Sequence, residues 1–152
     1  MYRVGYPLAR LWWRLFGGTA VGSTVALRCG DRLLVLRESY RRGLGLPAGG
    51  RKPGESALAN AVRELHEEVG IMLQPDKLVM LSEVSFASEG RQIHNSFFEA
   101  FLDEPPDPVV DQREIVWAGW MEVEAITADE AQRGLRIYLD ELGGRSRHAA
   151  EA

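Results

Sequence analysis

Runs rich in apolar and β-forming residues predict five strands, which are separated by short stretches rich in turn-forming residues. The first two strands flank Cys29-Gly30-Asp31 and are therefore expected to form a hairpin. A stiff acidic loop with Pro105, Pro106 and Pro108 precedes the last strand. The predicted strands span Thr19 to Leu27, Arg32 to Glu38, Lys77 to Ala87, Gln92 to Leu102 and Ile115 to Met121.

After the second strand, the apolar spacing changes to that of a helix, which is predicted over Glu55 to Val69. Pro53-Gly54 in front and Gly70 behind give this helix a start and a stop. Its apolar positions are Leu58, Val62, Leu65 and Val69. Because these positions share one face, that side of the helix is expected to pack on the sheet.

A second helix is expected near the end of the chain, over Asp129 to Leu142. Thr127 or Asp129 would cap its first turn, and Gly143-Gly144 would end it. Residues 144–152 are expected to form a disordered tail.

The N-terminal segment, residues 1–18, contains a cluster of large apolar residues with helical spacing, interrupted by Arg10 and Arg14. A membrane-spanning helix needs about 20 nearly uncharged residues, so stable insertion into a membrane is not expected. We predict an amphipathic helix that packs on the same domain or on a second subunit, which would make the protein a homodimer. The alternative is contact with a membrane surface through Trp12 and Trp13.

Length and charge restrict the classes of function. A chain of 152 residues without an internal repeat or linker is expected to form one globular domain. Its net charge of -4 gives no attraction to nucleic acid, so local groups or a metal ion must hold any anionic substrate. Cys29 is the only cysteine, which excludes an intramolecular disulfide and favours a reducing, cytoplasmic location.

Three carboxylates, those of Glu64, Glu67 and Glu68, gather on the polar side of the first helix. Like charges four residues apart destabilise a helix by a few tenths of a kcal/mol, so a compensating cation is expected. Mg²⁺ is suited to this role, because it binds one or two carboxylates together with water and a substrate phosphate. Taken alone, however, this motif is more often a solvated acidic face.

A glycine-rich turn in front of the helix extends the pattern. Gly49, five residues, Glu55, seven residues and then Arg63-Glu64-Leu65-His66-Glu67-Glu68-Val69-Gly70-Ile71 resemble the Nudix box at every specified position. The motif covers 23 of the 152 residues. The resemblance implies an α+β fold, an α/β/α sandwich whose mixed β-sheet lies between helices, with the Nudix domain over residues 19–143. It also implies a hydrolase that cleaves a nucleoside diphosphate linked to another group, by attack of water at phosphorus.

The resemblance also implies a set of metal ligands. Glu64 and Glu68 would bind Mg²⁺, for which Mn²⁺ can substitute, and the backbone carbonyl of Ala48 would be a further ligand. Glu67 would be a ligand or the general base, and Glu64 is a second candidate for the base. Four residues would give structural support: Gly49, Glu55, Arg63 and Gly70.

Some Nudix enzymes add an acidic residue from outside the box, placed six residues before a tryptophan in a late strand. Glu114 and Trp120 have this spacing, so Glu114 is a candidate extra ligand or general base, the alternative being a surface acid. Glu99 and Glu104 are weaker candidates.

Substrate contacts are less specified. Arg37, Arg51 and His94 are candidates for binding substrate, because Arg offers a bidentate fork for phosphate and His94 lies on a predicted strand. Neither the proline typical of family members selective for ADP-ribose nor the tyrosine typical of those acting on dinucleoside polyphosphates occurs at 86–89. The expected partner is therefore a small nucleoside diphosphate derivative or a nucleotide.

Two classes of function remain open at this point. One is a Mg²⁺-dependent pyrophosphohydrolase, and the other is a catalytically silent module that senses a nucleotide or binds a protein. The complete set of carboxylates favours the enzyme, because a sensor gains nothing from their mutual repulsion.

Overall fold

The computed structural model describes residues 19–88 and 90–145. The helix predicted over residues 1–18, and residues 146–152 of the predicted tail, lie outside this part of the chain. Within it, no helix is long and apolar enough to span a membrane.

The described strands form one mixed sheet in the order β4-β5-β1-β2-β6, with β3 paired to β1. All five predicted strands are present, while β3 was not predicted. β1 and β5 run parallel, and the other pairs are antiparallel. The strands are β1 Thr19–Cys29, β2 Arg32–Glu38, β3 Ala48–Gly50, β4 Val79–Ser88, β5 Arg91–Phe101 and β6 Ile115–Glu122.

The predicted β1–β2 hairpin is confirmed, with Cys29 opposite Arg32 at its closed end. The first half of β1 has a different neighbour, because Thr24 lies opposite Ala48 and Gly22 lies opposite Gly50 in β3. This pairing brings the glycine-rich turn against the centre of the sheet.

The first helix, α1, spans Ala57–Val69 rather than starting at Glu55. The Ser56 side chain accepts a hydrogen bond from the N–H of Ala59, which is the capping interaction that begins a helix. Gly70 ends it in the left-handed conformation at φ 68°, where a residue without Cβ is favoured.

The second helical segment, α2, consists of the α-helix Arg133–Ile137 followed directly by a π-helical turn, Tyr138–Leu142. Its predicted start at Asp129 is wrong. Residues 128–130 form a turn, and Ala131 forms an isolated bridge with Leu44, which donates a hydrogen bond to the carbonyl of Glu130 and accepts one from the N–H of Gln132. The predicted stop at Gly143-Gly144 is also wrong, because the backbone is still helical at Arg145.

Two apolar cores lie on opposite faces of the sheet, because successive strand residues point to opposite sides. On one face, Leu65 and Val69 of α1 pack against strand residues such as Val25. On the other, Leu135 and Tyr138 of α2 pack against the alternate set of strand residues. The predicted α/β/α arrangement is therefore confirmed.

Candidate active site

Arg63 joins the helix α1 to the turn in front of it. Its Nε lies 2.8 Å from Oε2 of Glu55. Its Nη1 lies 2.9 Å from Glu64 and 3.0 Å from Glu67, and its Nη2 donates to the carbonyl of Gly50 at 2.9 Å. One planar guanidinium therefore sets the position of two carboxylates on α1 relative to the turn.

Glu55 is the turn's main contribution to this network. Its Oε1 accepts hydrogen bonds from Nη2 of Arg63 and from the backbone N–H of Lys52. The hydrogen bond from Arg63, the largest of several effects, holds the pKa of Glu55 below its usual value. Glu55 therefore stabilises the turn as a carboxylate, consistent with its predicted supporting role.

Glu64 is 1% exposed and lies directly beneath Gly49. A methyl group at Gly49 would overlap the carboxylate carbon and both carboxylate oxygens of Glu64. The turn and the helix can therefore approach this closely only with glycine at position 49.

Glu68 lies one helical turn after Glu64 and is also buried, at 6% exposure. Its Oε2 accepts a hydrogen bond of 2.9 Å from the N–H of Ala48. Two buried carboxylates of α1 thus contact consecutive residues, Ala48 and Gly49, of β3.

Asn60 was missed by the sequence analysis. It is fully buried on α1, and its Nδ2 donates to the carbonyl of Gly50 at 3.0 Å. Arg63 donates to the same carbonyl, so two side chains of one helix fix the direction in which the Gly50 carbonyl points. The available signal was its position one helical turn before Glu64, on the side of the helix that gathers the carboxylates.

The donor set suits a hard divalent cation. Glu64 and Glu68 offer carboxylate oxygens beside the backbone of Ala48, and Mg²⁺ needs only one or two carboxylates when water and phosphate complete its shell. Within residues 19–88 and 90–145, no three His, Cys, Asp or Glu side chains form a ready metal centre. The third predicted ligand, Glu67, has a side chain that is 43% exposed and turns toward Arg63.

Glu114 lies immediately before β6 and is partly buried. Its carbonyl accepts a hydrogen bond from the N–H of Ser39, which anchors it beside the loop that leads from β2 to β3. Glu104 is exposed in the proline-containing loop. Glu99 is buried on the α2 side of the sheet, where it accepts a hydrogen bond from Tyr138.

The predicted substrate-binding residues lie on two faces of the sheet. The backbone N–H of Arg51 donates to the carbonyl of Val21, and Val21 lies opposite His94 in the next strand. Arg51 and His94 therefore flank Val21 on the α1 face, with their backbones two strand spacings, or about 10 Å, apart. Ser85 holds His94 Nδ1 by a hydrogen bond. Arg37 extends from the α2 face and lies over the ring of Trp117, 5.9 Å from its centroid.

A family model for the NUDIX domain matches residues 18–142 of the chain. The chain belongs to the Nudix family. It is a Nudix-type pyrophosphohydrolase, of the class that acts on nucleoside diphosphate derivatives. A search of curated proteins finds no significant match.

Solved structures show the same Nudix fold at low identity. The MutT NUDIX hydrolase from Burkholderia pseudomallei is 22% identical with a TM-score of 0.72, over 82% of this chain and 98% of that chain. The MutT protein from Methanosarcina mazei Go1 is 17% identical with a TM-score of 0.71, over 87% and 98%. A bifunctional NMN adenylyltransferase/ADP ribose pyrophosphatase from Francisella tularensis, complexed with AMP and a Mn ion, is 18% identical with a TM-score of 0.66, over 94% and 46%.

Replacing Gly49 by alanine tests the close approach in this Nudix site. Because the added methyl group overlaps the Glu64 carboxylate, we expect Gly49→Ala to lower the free energy of unfolding by about 1 to 3 kcal/mol. Urea unfolding measures the change. Gly134→Ala is the matched control, since no atom lies within 4 Å of its added methyl group. Equal stability of the two variants would contradict the packing of Glu64 beneath Gly49.

The lowered pKa of Glu55 predicts how stability depends on pH. A carboxylate with a lowered pKa in the folded state stabilises fully above its unfolded value, about 4.3, and loses this contribution as the pH falls through the folded value. Wild type should therefore exceed Glu55→Gln in stability at pH 7, and the difference should shrink between about pH 5 and pH 3. Urea midpoints across this range measure it, with exposed Glu124→Gln as control. A difference that stays constant down to pH 3 would exclude the ionised Glu55–Arg63 pair as its source.

Proposed function

We propose that this Nudix hydrolase depends on Mg²⁺ and cleaves the diphosphate linkage of a small nucleoside diphosphate derivative or nucleotide by attack of water at phosphorus. The observation that carries the proposal is the pair of buried carboxylates, Glu64 and Glu68, that α1 presents to Ala48 and Gly49. Burying two carboxylates on one helix is costly unless positive charge balances them.

Arg63 supplies part of that balance, since it contacts Glu64 but also Glu55 and Glu67. Arg63 thus contacts three carboxylates, and Glu68 adds a fourth to the same surface of the turn and helix. Carboxylate oxygens gathered on one surface are the ligands that a hard divalent cation prefers.

In this proposal Glu64, Glu68 and the carbonyl of Ala48 hold the metal, with Glu67 as a further ligand or as the base. Bound Mg²⁺ supplies neutralisation of the diphosphate charge and a lower pKa for bound water. Mn²⁺ would substitute, which is supported by the Mn ion bound with AMP to the related Francisella tularensis enzyme.

A carboxylate must also accept the proton of the attacking water. Glu64, Glu67 and Glu114 are the proposed candidates, and a base must come within hydrogen-bond distance of that water. Glu67 is the most solvent-exposed member of the Arg63 network, whereas Glu64 is committed to a buried ion pair. Glu114 lies in the loop before β6, where its carbonyl accepts a hydrogen bond from Ser39.

Arg51 and His94 are proposed to bind the phosphate groups, because they share a row on the face that carries α1. Arg51 Nε is buried and has no hydrogen-bond partner in the described part of the chain, so it has a donor available. Arg37 extends from the opposite face beside Trp117, so its contact with substrate stays a prediction from the sequence. The buried free thiol of Cys29 supports a cytoplasmic location.

A substrate panel tests the proposal directly. Nucleoside diphosphate derivatives and nucleotides are incubated with wild type and Mg²⁺, and release of monophosphate products is measured. We expect hydrolysis of at least one member of the panel, and loss of activity when EDTA removes the metal. Glu64→Gln should lower the rate by about 10² to 10⁴-fold, because the change removes one charge while keeping the shape.

The control is Glu124→Gln, which changes an exposed glutamate far along the chain from the motif and should leave the rate unchanged. Melting temperatures with and without Mg²⁺ separate loss of metal binding from loss of folding, since a ligand of the folded state raises the melting temperature. The Mg²⁺-induced rise should disappear in Glu68→Gln. Full activity of a folded Glu64→Gln protein, or tight binding of a panel member without hydrolysis, would contradict the proposal.

A further inference from the structure

A cavity of about 250 Å³ lies on the α2 side of the sheet. It adjoins Arg28 at the end of β1, whereas the carboxylates of α1 contact β3 opposite the first half of β1. Glu64 and Glu68 are not among its lining residues, so the cavity is separate from the candidate active site. Its charged and polar lining side chains are Arg28, Arg136, Tyr138 and Asp140.

Arg28 is a charged side chain that is only 2% exposed. Its Nη1 donates to the hydroxyl of Tyr138 at 3.1 Å, and its Nη2 makes a longer contact of 3.5 Å with the carbonyl of Gly30. Its Nε has no hydrogen-bond acceptor, and the guanidinium forms no ion pair within the described residues. The guanidinium also lies 5.9 Å from the centroid of the Phe101 ring. A buried guanidinium with an unsatisfied N–H donor is costly, because that donor has lost its hydration without gaining an acceptor.

The neighbouring phenol does not neutralise Arg28. Tyr138 is fully buried, and burial, followed by its hydrogen bond to Glu99, raises its pKa. The phenol therefore stays neutral, and its hydroxyl donates a hydrogen bond to the Glu99 carboxylate. Glu99 is not among the residues that line the cavity, and the Tyr138 hydroxyl connects it to Arg28 by accepting from Arg28 and donating to Glu99.

A second arginine lines the same cavity. Arg136 donates from Nη2 to the carbonyls of Ala128 and Ala131, each at 3.1 Å, and it too forms no ion pair among residues 19–88 and 90–145. Asp140 also lines the cavity, one helical turn further along, but it is not within ion-pair distance of Arg136. The wall therefore carries two guanidinium groups and one carboxylate.

We propose that this cavity is a binding site for a small oxyanion, the phosphate or carboxylate group of a small molecule, held between Arg28 and Arg136. Guanidinium groups bind both kinds of group through paired N–H donors. The volume is several times the roughly 30 Å³ of one water molecule, which leaves room for such a group with part of its hydration. The site does not depend on the hydrolytic activity proposed above.

Binding is measured by calorimetric titration of the full chain with inorganic phosphate at constant ionic strength. EDTA is present throughout, so that metal at the α1 carboxylates plays no part. A parallel titration with acetate distinguishes a phosphate site from a carboxylate site. Saturable binding of either anion supports the proposal, and saturable binding of neither overturns it.

Two variants on α2 provide a matched comparison. Arg133 and Arg136 are both exposed to solvent and are three residues apart, but only Arg136 lines the cavity. Arg136→Gln should weaken anion binding by about tenfold, the equivalent of one charge-assisted hydrogen bond, while Arg133→Gln should bind like wild type. Asp140→Asn should bind severalfold more tightly, because it removes a like charge from the wall.

Equal weakening in Arg133→Gln and Arg136→Gln would show a general charge effect and overturn the site. Unchanged affinity in Arg136→Gln would do the same. Glu64→Gln should retain the wild-type affinity for the anion. If it loses that affinity, the anion binds at the α1 carboxylates and the assignment to this cavity is wrong.

Discussion

The ion-pair network of Arg63 is the interaction on which the candidate active site depends. A single side chain of α1 contacts a glutamate of the preceding turn, two glutamates of its own helix and the carbonyl of Gly50. Glu64, one of these partners, is almost completely buried. Removing one member of a buried ion pair typically costs about 3 to 5 kcal/mol, so the network resists rearrangement. The turn and the helix are thereby locked together before any ligand binds.

The sheet also fixes the position of the turn relative to α1. Pairing of β3 with β1 holds the glycine-rich turn at the centre of the fold, and the apolar side of α1 fixes the rotation of the helix. The missing side chain at Gly49 then lets Glu64 reach the turn. Such rigidity suits the proposed metal site, because groups that are held in place beforehand need no reorganisation during a reaction.

Much of this organisation follows from the sequence pattern, because β4, β5 and β6 are runs of β-forming residues between turns and α1 has helical apolar spacing. β3 gives no such signal: Ala48–Gly50 has three residues, two of them glycine, and it pairs with β1, more than 20 residues earlier in the chain. Before α2, Glu130 and Gln132 form backbone hydrogen bonds with Leu44, a distant residue that local helix signals do not report. The contact between Glu55 and Arg63 agrees with the supporting roles that the motif predicts. The role of Asn60 could not be predicted, because it depends on the direction of the Gly50 carbonyl in the folded chain.

The central claim is that the carboxylates of α1 and the backbone of β3 form one divalent-cation site. Its most direct test is paramagnetic broadening of backbone amide signals of the full chain by substoichiometric Mn²⁺, recorded by NMR. The account predicts the strongest broadening at Ala48, Gly49, Glu64 and Glu68, with little effect at Glu104 in the acidic loop. Strongest broadening in that loop, with the signals of Ala48 and Gly49 unchanged, would contradict it.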